Sequence, residues 1–437
     1  MALIKAFKGL RYGVDAGKLE ELCCPPYDII SEKERQELLN RNPHNIIRLE
    51  LPTSYKDGEE AQGTAAYEEA GRVVADWVNK GVLTEDKEEN IYVYEFSFTH
   101  EGKTLAVKGF VALVKLEEFS KGIVLPHEET LSKAKTDRFN LMTATGCNFS
   151  QIYSLFSDKN NEVLAVLEKA TASAPTSEFT DRDDVTHRLW LVSDASVVAT
   201  VAKLMADKQV FIADGHHRYE TALNYRNSVS DKSSQDPNNT ADFVPMMLVS
   251  MENPGLAVFP THRIVRDLST YDEQSIITKS AEFFDITENL SKEDSVSRSL
   301  KAYNEGKSAF VLYSGKAYTL MVLKDKGVMK SILPDAHESL QNLDVSVLHS
   351  LVLERVFGID KENMAAQKNL TYIKVAEDAI NAVDNGDANC CFLLNSTRVS
   401  EIRDVSLAGG KMPQKSTYFY PKLTTGLVMN RIFKNGG

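Results

Sequence analysis

A run of polar residues follows a short apolar stretch near the middle of the chain. Residues 210–213 predict a buried strand, and Gly215 allows the backbone to turn sharply after it. Apolar positions then recur with helical spacing, so we expect a helix to begin at this turn. Its first turn carries three nitrogen-rich side chains: His216, His217 and Arg218. Because the free N–H groups and the positive dipole end of the helix add to these side chains, the pattern predicts a phosphate or nucleotide site.

Asp214 lies directly before these side chains, where its carboxylate suits a metal ion or a substrate hydroxyl. We therefore predict a catalytic role and a metal-binding role for Asp214. A structural alternative remains open, since paired histidines at a helix start can also act as capping and packing groups. A rigid strand and helix on either side of the turn favour a functional site.

A second polar cluster precedes another predicted helix. It contains Glu128 and two predicted substrate contacts, His127 and Glu129. Two predicted phosphate ligands, Lys135 and Arg138, follow on the helix. Phosphoryl transfer to a hydroxyl uses such a set, because a carboxylate accepts or orients the hydroxyl proton while cations hold the phosphates. Taken alone, the segment is more typical of a solvated helix face with ion pairs four residues apart.

Two further segments bring polar side chains to the ends of apolar runs. His262 and Arg263 are predicted substrate contacts, with packing as the equal alternative. Near the C-terminus, Lys415 and Lys422 are placed to close over an anion, and a surface loop explains them equally well. Of these two lysines, we predict Lys415 as a phosphate ligand.

The composition excludes several classes of protein. With 437 residues, 43% hydrophobic and 26% charged, the chain is typical of a soluble globular protein of two or three domains. A net charge of −12 disfavours DNA as a partner. We find no apolar stretch of membrane-spanning length and no signal peptide, so we expect a cytoplasmic protein with no membrane partner. Five cysteines, an odd number, predict neither a disulfide framework nor a metal site.

The elements that must position these residues combine helices with hairpins. Ser31 and Glu34 form a predicted capping box for a helix over residues 32–40, and residues 42–52 predict a loop and a strand. Two hairpins are predicted, from residues 91–98 with 104–116 and from 308–313 with 317–324.

We predict an α+β fold in three parts. Residues 1–269 form an N-terminal α+β domain that carries both polar clusters. Residues 270–330 form an inserted or second α+β subdomain, and residues 331–437 form an α/β segment that packs back on the core.

These motifs together resemble a widespread bacterial and archaeal family of unknown function that is often labelled ParB-like. They are spread over nearly the whole chain: residues 25–28, 42–43, 47–48, 125–138, 214–220, 260–263 and 413–422.

A narrower resemblance implies a mechanism. His127-Glu128-Glu129 and the run from Asp214 to Arg218 are similar to two signature elements of the free serine kinases, small proteins of the ParB/sulfiredoxin fold that phosphorylate free L-serine. The resemblance implies a ParB/sulfiredoxin-like core with large insertions, because the two elements lie further apart here than in the compact kinases.

Carried over by position, the resemblance makes Glu128 the catalytic base. It implies that the histidines and the arginine of the turn bind the transferred phosphate and that Asp214 contacts substrate or Mg²⁺. The expected substrates are ATP, ADP or pyrophosphate as the donor and a small hydroxyl compound, free L-serine or a relative, as the acceptor. The oligomeric state stays open.

Relatives of the same fold supply rival functions. Sulfiredoxins carry a cysteine where this chain has His216, which disfavours sulfur chemistry. ParB proteins bind a nucleotide and hold DNA, and the acidic balance of this chain disfavours the DNA role. A nucleotide-binding regulatory protein of ParB type without kinase activity remains the alternative. Glu128 discriminates the two, because a pure binding module needs no carboxylate beside the phosphates.

Overall fold

The computed structural model describes residues 2–52, 63–100, 102–130, 132–229 and 239–433. The chain divides into two compact units. The first consists of Met1–Pro126, Thr130–Leu256 and Pro421–Gly437. The second consists of His127–Glu129 and Ala257–Tyr420. Both units mix helices and strands, which confirms the α+β class, whereas the ParB/sulfiredoxin-like core stays a prediction.

The first unit is built around strands from all of its segments. Its strands are β1 (Ile4–Lys5), β2 (Leu10–Tyr12), β3 (Leu83–Glu85), β4 (Ile91–His100), β5 (Lys103–Lys115), β6 (Val124–Leu125), β7 (Cys147–Asn148), β8 (Ile152–Phe156), β9 (Ser177–Thr180), β10 (Thr186–Val192), β11 (Val210–Asp214), β12 (Phe243–Ser250) and, after the second unit, β21 (Asn430–Arg431). Its helices are α1 (Leu19–Leu22), α2 (Glu32–Arg41), α3 (Ile47–Glu50), α4 (Gly63–Asn79), α5 (Ser132–Thr145), α6 (Glu162–Ala170), α7 (Ala195–Met205) and α8 (His216–Ser228), with 3₁₀ turns at Tyr27–Ile29 and Phe119–Lys121.

A mixed sheet forms the centre of this unit, in the order β6-β11-β8-β12-β5-β4-β10-β9 with β1 beside β5. The β4–β5 hairpin is antiparallel, as predicted. Strand β11 runs parallel to β6 and antiparallel to β8, so its last residue reaches one end of the sheet near an edge. The pairing of β11 with β8 shifts in register between Ile212 and Asp214, so the strand is irregular where it ends.

Packing and hydrogen bonds fix helix α8 to the core of the first unit. The predicted apolar stripe is buried at Tyr219, Ala222 and Leu223, and Val210 and Ile212 of β11 belong to the same core. The hydroxyl of Tyr219 donates to the carbonyl oxygen of Glu117 at 2.7 Å and accepts from the same residue's N–H at 2.9 Å. The start of α8 is therefore held by packing and hydrogen bonds on the face of the helix that is buried in the core.

The second unit contains an antiparallel sheet of its own. Its strands are β13 (Ala257–Phe259), β14 (His262–Val265), β15 (Phe284–Leu290), β16 (Ala309–Tyr313), β17 (Tyr318–Leu323), β18 (Leu370–Ile373), β19 (Cys390–Leu394) and β20 (Tyr418–Tyr420). Its helices are α9 (Glu273–Ser280), α10 (Lys292–Asn304), α11 (Val328–Ile332), α12 (Glu338–Gln341), α13 (Asp344–Val347), α14 (Lys361–Ala366), α15 (Ala376–Asp384) and α16 (Val399–Leu407), and a π-helical stretch covers Leu348–Glu354. The sheet order is β15-β17-β16-β19-β14-β18, and β13 pairs with β20.

These units and the three predicted domains have different boundaries. Residues 257–269 fall in the second unit because β14 pairs with β18 and β19. Residues 270–330 lie within the second unit, where β16 pairs with β19 of the C-terminal segment. Residues 127–129 also join the second unit, where Glu128 forms a parallel bridge with Met412. In the described part of the chain, none of the helices has the length and apolarity needed to cross a membrane.

Candidate functional site

Asp214 ends β11 and is held between two cationic side chains of the first unit. Its Oδ2 accepts a hydrogen bond from Nη2 of Arg218 at 2.8 Å, and its Oδ1 accepts one from Nζ of Lys422. Burial alone raises the pKa of Asp214, but Lys422 and Arg218 outweigh it and hold the pKa well below the ordinary value. Asp214 is therefore ionised at neutral pH.

The cluster carries more positive than negative charge. Two cations face one carboxylate, so Asp214, Arg218 and Lys422 together have a net charge of +1. His216 is buried beside them and adds to the lowering of the Asp214 pKa, and His217 is half-buried in the same helical turn. Because the first N–H groups of a helix have no intrahelical acceptor, this end of α8 also attracts anions.

Gly215 makes the close approach of strand, helix and arginine possible. Its backbone φ is +96°, in the left-handed region that favours glycine, and it caps the start of α8. A Cβ atom at this position would lie 2.9 Å from Nε of Arg218. The turn therefore needs glycine for its conformation and for the space that the arginine occupies.

Arg138 and Arg218, distant in sequence, line one small cavity of about 40 Å³ together with Glu50. Arg138 is buried, and its guanidinium contacts the carboxylates of Glu50 at 3.4 Å and Asp137 at 2.6 Å. It also stacks over Tyr27 at 4.1 Å. Burial raises the pKa of Glu50, while Arg138 and Arg218 act in the opposite direction. With Glu50 and Asp137 included, three carboxylates balance the three cations of this wider group, and Lys422 forms its cationic end.

Lys135 connects helix α5 to helix α8. Its Nζ lies 2.8 Å from Oε2 of Glu220, which also accepts from the hydroxyl of Thr130 at 2.7 Å. This pair fixes the predicted phosphate ligand Lys135 to α8 at a residue two positions after Arg218. Its role as a phosphate ligand stays a prediction.

The His127–Glu129 segment is held within the second unit. The carbonyl oxygen of His127 accepts from the N–H of Met412 at 2.8 Å, and its ring Nε2 lies 3.0 Å from the hydroxyl of Thr417. Oε1 of Glu128 accepts from the backbone N–H of Lys415 at 3.4 Å. The predicted phosphate ligand Lys415 thus lies beside Glu128, and Lys422 is the lysine that contacts Asp214.

His262 and Arg263 lie in the second unit on β14, and both are buried. Nδ1 of His262 accepts the N–H of Leu394 at 3.1 Å, so this histidine joins β14 to β19. Burial, reinforced by Arg263, lowers the pKa of His262 to about 4 and keeps the ring neutral. The packing alternative fits His262, while the substrate-binding role of both residues stays a prediction.

The comparisons with known proteins identify a family. Residues 4–346 match the family described as "protein of unknown function (DUF1015)". The chain belongs to this family. A search of curated proteins finds no significant match. Membership in the DUF1015 family therefore assigns no activity to the chain.

Several solved structures share remote similarity with this DUF1015 protein. A free serine kinase in complex with AMP has 13% identity and a TM-score of 0.35, over 69% of this chain and 85% of that one. A conserved hypothetical protein from Pyrococcus furiosus has 14% identity and a TM-score of 0.34, over 70% and 90%. SbnI from Staphylococcus aureus has 10% identity and a TM-score of 0.35, over 73% and 86%. Similarity at this level transfers no activity to the chain.

Two residues of the first unit's cluster were missed by sequence reasoning. Glu50 could have been noticed as a charged residue inside an apolar run, and it lies in the cavity of Arg138 and Arg218. Gln151 accepts a hydrogen bond from Nη1 of Arg218 through its backbone oxygen, a contact with no sequence signal.

Proposed function

We propose that this protein is a small-molecule kinase that transfers a phosphoryl group from ATP, ADP or pyrophosphate to a hydroxyl acceptor, free L-serine or a related compound. The observation that carries the proposal is the turn at the start of α8, where two cationic side chains, Lys422 and Arg218, hold Asp214 beside the free N–H groups of the helix. An anion is attracted to such a turn by fixed charges and by the helix end together.

In this mechanism the turn binds the phosphates of the donor. Arg218, Lys422, His216 and His217 supply cationic and N–H groups. The rigid support of α8 keeps the arginine and the two histidines in place before the phosphate arrives, and Asp214 holds Lys422. Phosphoryl transfer depends mainly on such positioning and charge stabilisation. The role of Asp214 is to orient its two cationic partners.

The donor set at Asp214 does not fit a metal ion. Both carboxylate oxygens already accept hydrogen bonds from cations. Among the described residues, no group of three or more His, Cys, Asp or Glu side chains is arranged to hold a metal. The proposed mechanism therefore assigns no metal-ligand role to Asp214, and a Mg²⁺ ion that accompanies the donor stays a prediction.

The proposed general base is Glu128. A glutamate accepts the proton of the acceptor hydroxyl as the phosphorus–oxygen bond to that hydroxyl forms and the bond to the donor's leaving phosphate breaks. The backbone N–H of Lys415 and Nζ of Lys411, which donates to the Glu128 carbonyl oxygen at 3.2 Å, fix this residue within its own unit. Its carboxylate is only half-buried, so a substrate can reach it.

The decisive experiment measures binding and transfer on the full chain. Calorimetric titration with ATP, ADP and pyrophosphate tests the phosphate site. Mass spectrometry of reactions that contain L-serine, L-threonine, glycerate or homoserine with each donor, with and without Mg²⁺, tests transfer. Formation of a phosphorylated acceptor supports the kinase. Binding of a donor without transfer to any acceptor would instead support the nucleotide-binding regulatory protein, and absence of donor binding contradicts both functions.

A further inference from the structure

The second unit contains a buried cation without an acidic partner. Arg263 is 0% exposed, and its guanidinium donates to Nε2 of His349 at 3.2 Å and to the backbone oxygens of Thr261 and Gln414. Its ring contact is Tyr372, whose centroid lies 5.0 Å away. Among the residues that the structure describes, no carboxylate forms an ion pair with Arg263.

A buried charge without a counter-ion is costly, and the usual responses are pairing or loss of the proton. Burial lowers the pKa of Arg263 to about 10, which still leaves the guanidinium charged at neutral pH. The neighbouring His349 cannot compensate it, because burial and Arg263 hold the pKa of His349 well below its ordinary value and keep the ring neutral. Arg263 is therefore a fixed positive charge in a low-dielectric interior.

A cavity of about 360 Å³ lies next to this charge, wholly within the second unit. Its wall includes three residues that Arg263 contacts: His349, Tyr372 and Gln414. The volume is in the range of small-molecule sites, which are mostly apolar with a few placed polar groups. The apolar wall fits this description: Leu333, Leu340, Met364, Ala365, Met412 and Pro413.

One side of the cavity is formed by unusual backbone. The seven-residue π-helical stretch Leu348–Glu354 supplies His349, Ser350 and Glu354 to the wall. π-Helical turns are rare and occur frequently at functional sites, since they place side chains that a regular helix would not. The geometry of the wall is thus independent support for a ligand.

The charges of the wall determine the charge of the ligand. Lys361 and Lys411 balance Glu129 and Glu354, so Arg263 behind the wall supplies one positive charge in excess. We propose that this cavity binds a small organic monoanion, a carboxylate that carries an apolar chain or ring. The apolar wall contacts the carbon skeleton, and the field of Arg263 favours the carboxylate. A phosphate dianion carries more negative charge than the single positive charge of Arg263 can neutralise.

The test uses ligand-detected NMR titration of the full-length protein with hexanoate and 3-phenylpropanoate and with their uncharged amides, hexanamide and 3-phenylpropanamide. Each amide keeps the size and shape of its carboxylate and replaces the anionic oxygen with a neutral NH₂ group. We expect the carboxylates to bind and each amide to bind at least about tenfold more weakly, since the amide lacks the negative charge that Arg263 attracts. The inference does not rest on the proposed kinase activity, and no donor nucleotide is present.

A pair of neighbouring variants locates the binding. Ala365 lines the cavity and is exposed on α14, so Ala365→Phe fills the cavity without disturbing the core. Ala366, the next residue, is exposed and does not line the cavity, so Ala366→Phe is the matched control. We expect Ala365→Phe to weaken carboxylate binding about tenfold or more and Ala366→Phe to leave it unchanged. The inference is overturned if neither carboxylate binds, if the amides bind equally well, or if both variants behave alike.

Discussion

One lysine determines the charge balance of the proposed phosphate site. Asp214 needs a single cation for neutralisation, and Arg218 already supplies it at 2.8 Å. Lys422 therefore provides a second cation at this carboxylate. It is only 11% exposed at its side chain, so its charge acts in a weakly screened environment.

Lys422→Met should weaken the binding of pyrophosphate by about tenfold or more, because a charged hydrogen-bond donor contributes about 1.5–3 kcal/mol. Calorimetric titration of the folded variant measures the effect. The matched control is Lys80→Met, which removes an exposed lysine from its surface pair with Asp76. Equal affinities for Lys422→Met and the wild type would remove Lys422 from the site.

Glu128→Gln should lower the turnover number for phosphate transfer by about 10²- to 10⁴-fold and leave donor binding nearly unchanged. Glutamine retains an oxygen that accepts the N–H of Lys415, so the local structure is kept while the proton acceptor is lost. Steady-state kinetics with mass-spectrometric detection gives the turnover number. Glu288→Gln, at an exposed position of β15, controls for a change of one charge in the same unit. A Glu128→Gln variant with wild-type turnover contradicts the general-base role.

Residue types at the turn could be predicted from local sequence, but their partners could not. Glycine followed by histidines and an arginine after an apolar run indicates a strand, a turn and a helix start, and the structure has all three. The choice of Lys422 rather than Lys415 as the partner of Asp214 depends on the path of the chain after the second unit. No spacing rule relates residues that lie so far apart.

At the scale of elements, predictions from the local sequence were confirmed where interactions between nearby residues determine the structure. The capping box of Ser31 and Glu34 is present at the start of α2, and both predicted hairpins are antiparallel pairs. The predicted strand within residues 42–52 is wrong, since Ile47–Glu50 form the short helix α3. The buried side chain of Asn45 accepts the N–H of Ile47 at 2.9 Å and donates to the carbonyl oxygen of Glu21, so tertiary hydrogen bonds outweigh the β-branched composition.

The β11–α8 turn should depend on glycine for binding as well as for stability. Gly215→Ala forces a residue with a Cβ into the left-handed region, which costs about 1–2 kcal/mol, and displaces the guanidinium of Arg218 from Asp214. We expect a lower melting temperature and weaker pyrophosphate binding. Differential scanning fluorimetry and calorimetric titration measure the two effects.

The variant Gly122→Ala separates the effect of backbone strain from the effect of displacing Arg218. Gly122 also has a positive φ, +64°, but a Cβ there meets no atom within 4 Å. It should therefore lower the melting temperature while pyrophosphate binding stays at the wild-type level. If both variants bind pyrophosphate as the wild type does, Arg218 has no part in anion binding.

At the scale of the whole molecule, the order of segments along the sequence does not show how the chain divides into its two units. Residues 421–437 return to the first unit after the second is complete, and residues 127–129 leave the first unit to join the second. Both exchanges rest on backbone pairing between distant segments, such as the bridge from Glu128 to Met412. A prediction made in order along the chain assigns contiguous domains, and it cannot anticipate pairings whose partners are hundreds of residues away.

The second unit contains two buried neutral histidines that make its stability depend on pH. Burial lowers the pKa of His262 from its ordinary value of 6.5 to about 4, and His349 is shifted in the same direction. Between pH 6.5 and about 4, His262 binds a proton in the unfolded chain but not in the folded protein. The stability from His262 is therefore fully present above pH 6.5 and is lost as the pH falls towards about 4.

His262→Asn should flatten the pH dependence of the second unit between pH 6.5 and about 4, the window set by the shift of the His262 pKa. A shift of this size corresponds to a loss on the order of 3 kcal/mol in the wild type, at 1.36 kcal/mol per pH unit. Asparagine keeps an oxygen that accepts the N–H of Leu394, so β14 and β19 remain paired. Hydrogen exchange of peptides from β19, corrected for the intrinsic rate at each pH, measures the opening free energy of this sheet alone. His337→Asn, at an exposed helix cap of the same unit, is the matched control for the loss of an imidazole. Identical slopes for the wild type and His262→Asn would show that His262 is not the group that destabilises the unit in acid.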